Sequence, residues 1–230
     1  DDIKKGIQGL YSTLPGETEV QFTSFFTDEL GPGRNNSGQG VNDGSYTFIL
    51  QAGNDFANNI WSNYYNVVNR ANRMLSRAEV LSQTASEAEL EKLQVEMAKL
   101  HALRAYSHYK LFAYFTPNYA DPNGLSIIKF DFLQLEDYNR FEKRSTVAEI
   151  VAFIESDIQK AKDLGGVSGD SSIVNGAMLE AILIKMYSMV GSAAAYEKLE
   201  ASFDILEEEY SKGIADAGTY ASMFSGDPGA

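Results

Sequence analysis

Cysteine is missing from all 230 residues, tryptophan occurs once and histidine twice. Without a thiol the chain cannot carry cysteine catalysis, cysteine-bound zinc, iron–sulfur clusters or disulfides. Basic residues are scarce as well. Nineteen Lys and Arg face 32 Asp and Glu, for a net charge of −13. Neutralising nucleic-acid phosphates needs a Lys/Arg surplus, so the balance argues against a nucleic-acid partner. It argues equally against a basic patch that docks on anionic lipid. No apolar run approaches the roughly 18 residues of a membrane span, and there is no signal-peptide core. What is present is a 12% share of aromatics, too high for a disordered chain, and a length that allows one large domain or two small ones.

The five prolines lie between periodic segments, where the missing N–H and the ring clash do no harm to a helix. Residues 2–14 place Ile3, Ile7, Leu10, Tyr11 and Leu14 on one helical face. Residues 55–81 repeat the pattern through Phe56, Ile60, Tyr64, Val67, Val68, Ala71, Leu75 and Ala78. Ser86 and Glu89 form a capping box that opens a helix running to Phe115, and Thr146 with Glu149 opens another, stopped by Gly165-Gly166. Asn175 is the expected N-cap of a helix closed by Gly191, and a sixth helix is expected over about 192–212. Six amphipathic helices separated by short breaks predict an all-α fold, a superhelical stack of helix pairs rather than a closed bundle. No clean 34-residue repeat accompanies them.

Two segments resist a helical reading. Residues 116–144 hold Pro117, Pro122 and Gly124 and predict a long crossover with a short strand at Ile127–Phe130. Residues 27–54 hold six of the 19 glycines together with Asn35, Asn36, Asn42 and Asn54. A loop this long inside a domain is functional or disordered. Alternation at Tyr46, Phe48 and Leu50 predicts an ordered strip that pairs back on an extended Val20–Phe26.

Catalytic constellations are absent. His101 and His108 stand two helical turns apart, roughly 10.5 Å along the axis, too far to clasp one zinc ion, and read as helix-packing or surface residues. Asp28-Glu29 could serve a glycosidase only if two carboxylates faced each other across a sugar, which adjacency does not provide. G-x-S-x-G, phosphate-loop and calcium-loop patterns do not occur, and Asp121-Pro122-Asn123-Gly124 reads as a turn. No cofactor or metal is expected. The 27–54 loop is the best candidate site. Asp28, Glu29, Arg34, Asn35, Asn36, Tyr46 and Asn54 combine hydrogen-bonding groups suited to sugar hydroxyls with an aromatic ring suited to a sugar face. The competing reading is a structural loop whose Asn and Gly merely adopt left-handed backbone.

One resemblance spans the chain. In IWSNYYNVVNRANRML, residues 60–75, Trp61, Tyr65, Val68, Asn72 and Leu75 fall at the spacing of the W…Y…I…N…L helix of SusD/RagB-family proteins. Thr27-Asp28-Glu29 resembles that family's T-D-E segment, and Leu103-Arg104-Ala105 resembles its "LRA" helix, which continues through Leu111–Phe115. Arg144-Ser145-Thr146 through Glu149, Ile154, Asp157, Ile158 and Ala161 resembles its R-x-T-x-x-E helix, and 175–191 its next one. Five motifs in family order cover about residues 1–220. Thr116 stands where the family has Gly, so a different turn is expected there.

The resemblance implies a right-handed stack of TPR-like helix pairs with long irregular segments, and 1–230 as a single SusD-like domain. Family members are usually much longer, so the chain reads either as a fragment that lacks a C-terminal half or as a short variant of the family. It implies a non-catalytic lipoprotein on the outer face of an outer membrane, attached only through a lipid anchor that this chain does not contain. There it would capture oligosaccharides or other nutrients for a SusC-like TonB-dependent transporter, with ligand contacts in about 28–58. The alternative from the residues alone is a helical-repeat scaffold that binds protein and no glycan. Trp61, on the helix face, is expected to pack rather than to serve as a sugar platform.

Overall fold

Asn54, Thr146, Asn175 and Ser192 each start a helix in the computed structural model by accepting a hydrogen bond from the backbone three residues on. Such N-caps satisfy donors that the first turn leaves free. The structure describes residues 2–27, 29, 31, 51, 53–133, 142–165, 175–210, 216–218 and 222. Seven helices lie among them: α1 Asp2–Tyr11, α2 Gly16–Phe26, α3 Asp55–Ser82, α4 Glu87–Phe115, α5 Val147–Asp163, α6 Gly176–Val190 and α7 Ala193–Glu208. The all-α expectation holds. Both predicted capping boxes form, with the Ser86 N–H donating to Glu89 at 2.9 Å and the Thr146 N–H to Glu149 at 2.8 Å. Gly165 and Gly191 adopt φ of 65° and 66°, the left-handed stops their positions predict.

Two expectations are corrected. Val20–Phe26 is not an extended strip but most of α2. Its apolar alternation is misleading, because Phe22 and Phe26 meet as an i,i+4 pair, ring centroids 5.3 Å apart, while Val20 is 62% exposed. No strand forms at 127–130 either. Among the described residues the crossover's β-pairing with the chain before α5 is a single isolated bridge, Leu125 with Thr146, flanked by the Ser126 and Ser145 N–H groups donating to the Ser145 and Ile127 carbonyls. After Phe115 the chain leaves the helix through Thr116 in extended geometry (ψ 118°), as the residue before a proline prefers.

The chain divides into two compact units, 1–167 and 168–230. In the first, α3 and α4 run antiparallel, with α1, α2 and α5 packed on them. Their shared core holds Tyr64, Leu100, Leu103, Leu111, Phe112, Ile150, Ile154 and Ile158, all essentially inaccessible. Each such side chain contributes about 1.5–3 kcal/mol of burial. Through this core runs a polar knot. Arg104 donates from Nε and Nη2 to both oxygens of Asp157, each at 2.7 Å, and from Nη1 to Asn72 Oδ1 at 2.6 Å. Asn72 passes the connection on to the Phe130 and Phe132 carbonyls. His101 donates to Asp157 at 3.0 Å.

Burial alone would raise Asp157, but its bonds to Arg104 and His101 outweigh that and hold it at about 2. His108, wholly enclosed, is pushed by burial down to about 4 and is neutral. Its Nδ1–H donates to the Arg104 carbonyl and its Nε2 accepts from the Phe130 N–H. Both histidines are packing residues, as expected.

In the second unit α6 and α7 form a hairpin through Gly191-Ser192. Gly176 opens α6 beneath Tyr210, and a Cβ there would lie 1.9 Å from the phenol oxygen, so a larger residue would displace the Tyr210 ring.

Candidate functional site

The Gly/Asn-rich segment leaves α2 after Phe26 and re-enters helix at Asp55. The two ends meet. Phe22 packs on Phe56 at the start of α3 (6.1 Å) and on Tyr114 near the end of α4 (6.2 Å, edge-on). Trp61 is half-buried against Tyr65 (4.7 Å) and, perpendicular, Phe115 (5.0 Å), a packing role. Tyr65 ties this corner to the crossover, its hydroxyl donating to the Ile128 carbonyl at 3.0 Å and accepting from the Ile128 N–H at 2.9 Å. The aromatic pairs add about 0.5–1.5 kcal/mol each beyond burial.

Glu19 of α2 fixes that helix in place. Its carboxylate accepts from the Tyr64 hydroxyl, from Lys110 Nζ and, at 2.8 Å, from the Tyr114 hydroxyl. Burial would raise the Glu19 pKa, yet the bonds from Lys110, Tyr64 and Tyr114 together pull it below the ordinary carboxylate value. The Tyr64 and Tyr114 hydroxyls are pushed upward, by burial first, then at Tyr64 by Tyr106 and the Glu19 carboxylate and at Tyr114 by the Glu19 carboxylate, and stay protonated donors. Lys110 also lies over the Tyr106 ring, 5.6 Å from its centroid. An ion pair at this depth, with every oxygen engaged, holds α2 at one angle on α3 and α4.

The residues expected to form the site fare differently. Asn54 is buried, and its side chain caps α3, accepting from the Ala57 N–H at 3.0 Å. Glu29 is exposed, and its N–H donates to the Ser24 carbonyl. Asp28, Arg34, Asn35, Asn36 and Tyr46 lie outside the described residues, as does the strip at 46–50. Glu19, Lys110, Tyr64 and Tyr114 were not anticipated. The spacing of Tyr106, Lys110 and Tyr114 along α4 was the available signal, but nothing in the sequence separates Glu19 from Glu17 half a turn earlier in α2.

A pocket of about 680 Å³ opens elsewhere, between the start of α1, the end of α3 and the start of α4, lined by Ile3, Lys4, Leu81, Lys92, Leu93 and Glu96 among others. It lies at the far end of α3 from Asn54, 28 residues or about 42 Å along the helix, and neither Glu29 nor Asn54, the expected site residues that the structure describes, lines it. Among the described residues no group of three acids or histidines is placed to hold a metal ion, and no helix is long and apolar enough to cross a membrane.

The family model described as starch-binding and associating with the outer membrane, SusD-like, matches residues 1–174. No curated protein matches the chain. Among solved structures, a SusD superfamily protein from Bacteroides thetaiotaomicron is 19% identical with a TM-score of 0.72, over 90% of this chain and 46% of its own. One from Bacteroides vulgatus is 18% identical with a TM-score of 0.72, over 96% of this chain and 50% of its own. A laminarin-binding SusD-like protein is 18% identical with a TM-score of 0.71, over 93% of this chain and 46% of its own. The likeness shows the fold, all-α with TPR-like helix pairs. The chain spans about half the length of these structures.

Proposed function

The chain belongs to the SusD-like family, and on that premise we propose that it is a non-catalytic, cell-surface nutrient-binding protein. It captures oligosaccharides for a SusC-like TonB-dependent transporter in the outer membrane, to which a lipid anchor holds it. Residues 1–230 act as one SusD-like domain. The observation that carries the reading is the family match over 1–174 together with the way α2 and α3 are clamped where the Gly/Asn segment leaves and returns. A segment rich in Asn and Gly, fixed at both ends, can present Asp28, Glu29, Arg34, Asn35, Asn36, Tyr46 and the neighbourhood of Asn54 to a sugar.

Affinity electrophoresis against starch, laminarin and host-type glycans tests it. Retardation by a glycan, lost on Tyr46→Ala or Asn36→Ala, is the expected result. Failure of the full-length protein to bind any glycan, with a transporter partner supplied, would sink the reading.

A further inference from the structure

The outer face of α3 is a strip of one chemistry. Asn59, Ser62, Asn66, Arg70, Arg73 and Arg77 recur at helical spacing and all are exposed. The only acids of this 28-residue helix are Asp55 and Glu79, at its two ends. Arg70 reaches the Thr13 hydroxyl at 3.3 Å. Arg73 and Arg77 make no ion pair or hydrogen bond among the described residues. Beside the strip lies α1, whose Gly6 packs on Met74 and which adds Lys4 and Lys5 against Asp2. In a chain of net charge −13, three exposed guanidinium groups in line, none in an ion pair among the described residues and about 10.5 Å from first to last, stand out from their surroundings.

We propose that this strip docks an anionic polysaccharide, its carboxylate or sulfate groups on Arg70, Arg73 and Arg77 and its hydroxyls on Asn66, Ser62 and Asn59. The assignment rests on the glycan-capture reading and narrows the ligand to charged chains. Guanidinium groups pair with planar or tetrahedral anions through two parallel N–H donors, and side-chain amides suit hydroxyls. The order along the helix, arginines then asparagines, runs toward the start of α3, where the Gly/Asn segment arrives.

Other anionic partners fit less well. Lys4 and Lys5 bring the basic residues on this side to five, enough in number for an anionic membrane. Half of the strip is Asn and Ser, however, which match sugar hydroxyls rather than headgroup charge, and the net charge of −13 opposes an extended anionic surface. A protein interface has an apolar centre with aromatic anchors. The strip from Asn59 to Arg77 has none, and the exposed Val80 and Leu81 lie beyond the last arginine.

The test is affinity electrophoresis of the whole chain at low salt in dextran sulfate, polygalacturonate, polyglutamate or unmodified dextran. Dextran sulfate and polygalacturonate should retard the protein more than dextran does, with retardation falling as salt is raised. Replacing Arg70, Arg73 and Arg77 together by Gln should weaken that binding roughly tenfold, since three exposed charged contacts contribute a few-fold each. Replacing all three by Lys should restore part of it, with circular dichroism unchanged throughout. Unaltered affinity in the Gln variant would overturn the proposal, and so would equal binding of polyglutamate and polygalacturonate, or no preference for the sulfated over the plain dextran. If neutral glycans bind and that binding is lost on deleting residues 33–43 while the charged polymers are ignored, the strip is refuted and capture stands. If no glycan of either kind binds the full-length protein, both fall.

Discussion

Two polar clusters in the first unit use the same ingredients at different depths. Arg104 and Asp157 sit inside the core, joined to Asn72 on a third helix and through it to the crossover backbone. Glu19 and Lys110 pair nearer the surface, with side chains 12% and 23% exposed, and connect only α2 to α3 and α4. A deep cluster of this kind specifies the fold, because it is unsatisfied in any other arrangement of the helices. The shallow one specifies the attitude of a single short helix, the one from which the Gly/Asn segment departs. Fold and candidate site are therefore secured by separable sets of charges.

That separation can be broken most forcefully at Arg104. Arg104→Met should cost about 3–5 kcal/mol in urea denaturation, because it removes both guanidinium bonds and leaves the buried Asp157 carboxylate with His101 as its one remaining partner among the described residues. The double replacement Arg104→Met with Asp157→Leu should recover most of the loss, and a double variant no better than the single would contradict the desolvation argument. Acid should act on the same region. His108 has a folded pKa of about 4 against an ordinary 6.5. Between these values the unfolded chain takes up a proton that the folded chain refuses. Stability is then full above about pH 6.5 and falls as pH drops toward 4, by about 3 kcal/mol in the limit. Asp157 continues the decline, since its depressed pKa means a contribution present above its unfolded value and lost as pH falls to about 2. Imidazole NMR signals of His108 that titrate near 6.5 would refute this.

The shallow cluster should answer differently. Glu19→Gln removes the charge that Lys110 faces and should cost about 1–3 kcal/mol. Its signature is local, with faster amide hydrogen exchange in 16–26 and unchanged protection in α4 and α5. Uniform acceleration would show that the two clusters are one unit. Asn54→Ala is the mildest break. Losing a single N-cap should cost about 1 kcal/mol, and its effect on glycan affinity would tell whether Asn54 also contacts ligand, as the sequence suggests, or only starts α3.

Legibility in the sequence followed the locality of the interactions. Capping boxes and glycine stops depend on three or four consecutive residues, so the starts of α4 and α5 and the ends of α5 and α6 were readable. Arg104, Asn72 and Asp157 were flagged by the family spacing, but their joining was not, since it spans 32 and 53 residues. The helix α2 was missed for the same reason. It buries only Phe22, and its fixing comes from Tyr64, Lys110 and Tyr114, between 45 and 95 residues away.

The start of α5 carries one more consequence. Its Val147 and Ala148 N–H groups donate to the carbonyls of Gly124 and Pro122, in the turn that Asp121 stabilises by accepting from the Asn123 N–H. The Thr146–Glu149 box can close within one helical turn, but these two bonds wait for a loop of more than 20 residues to come home. In time, then, α5 should nucleate early at its box and gain its full length of protection late. Refolding kinetics would see two events at one helix end, a fast one that Thr146→Ala slows and a slower one that answers to changes at Pro122.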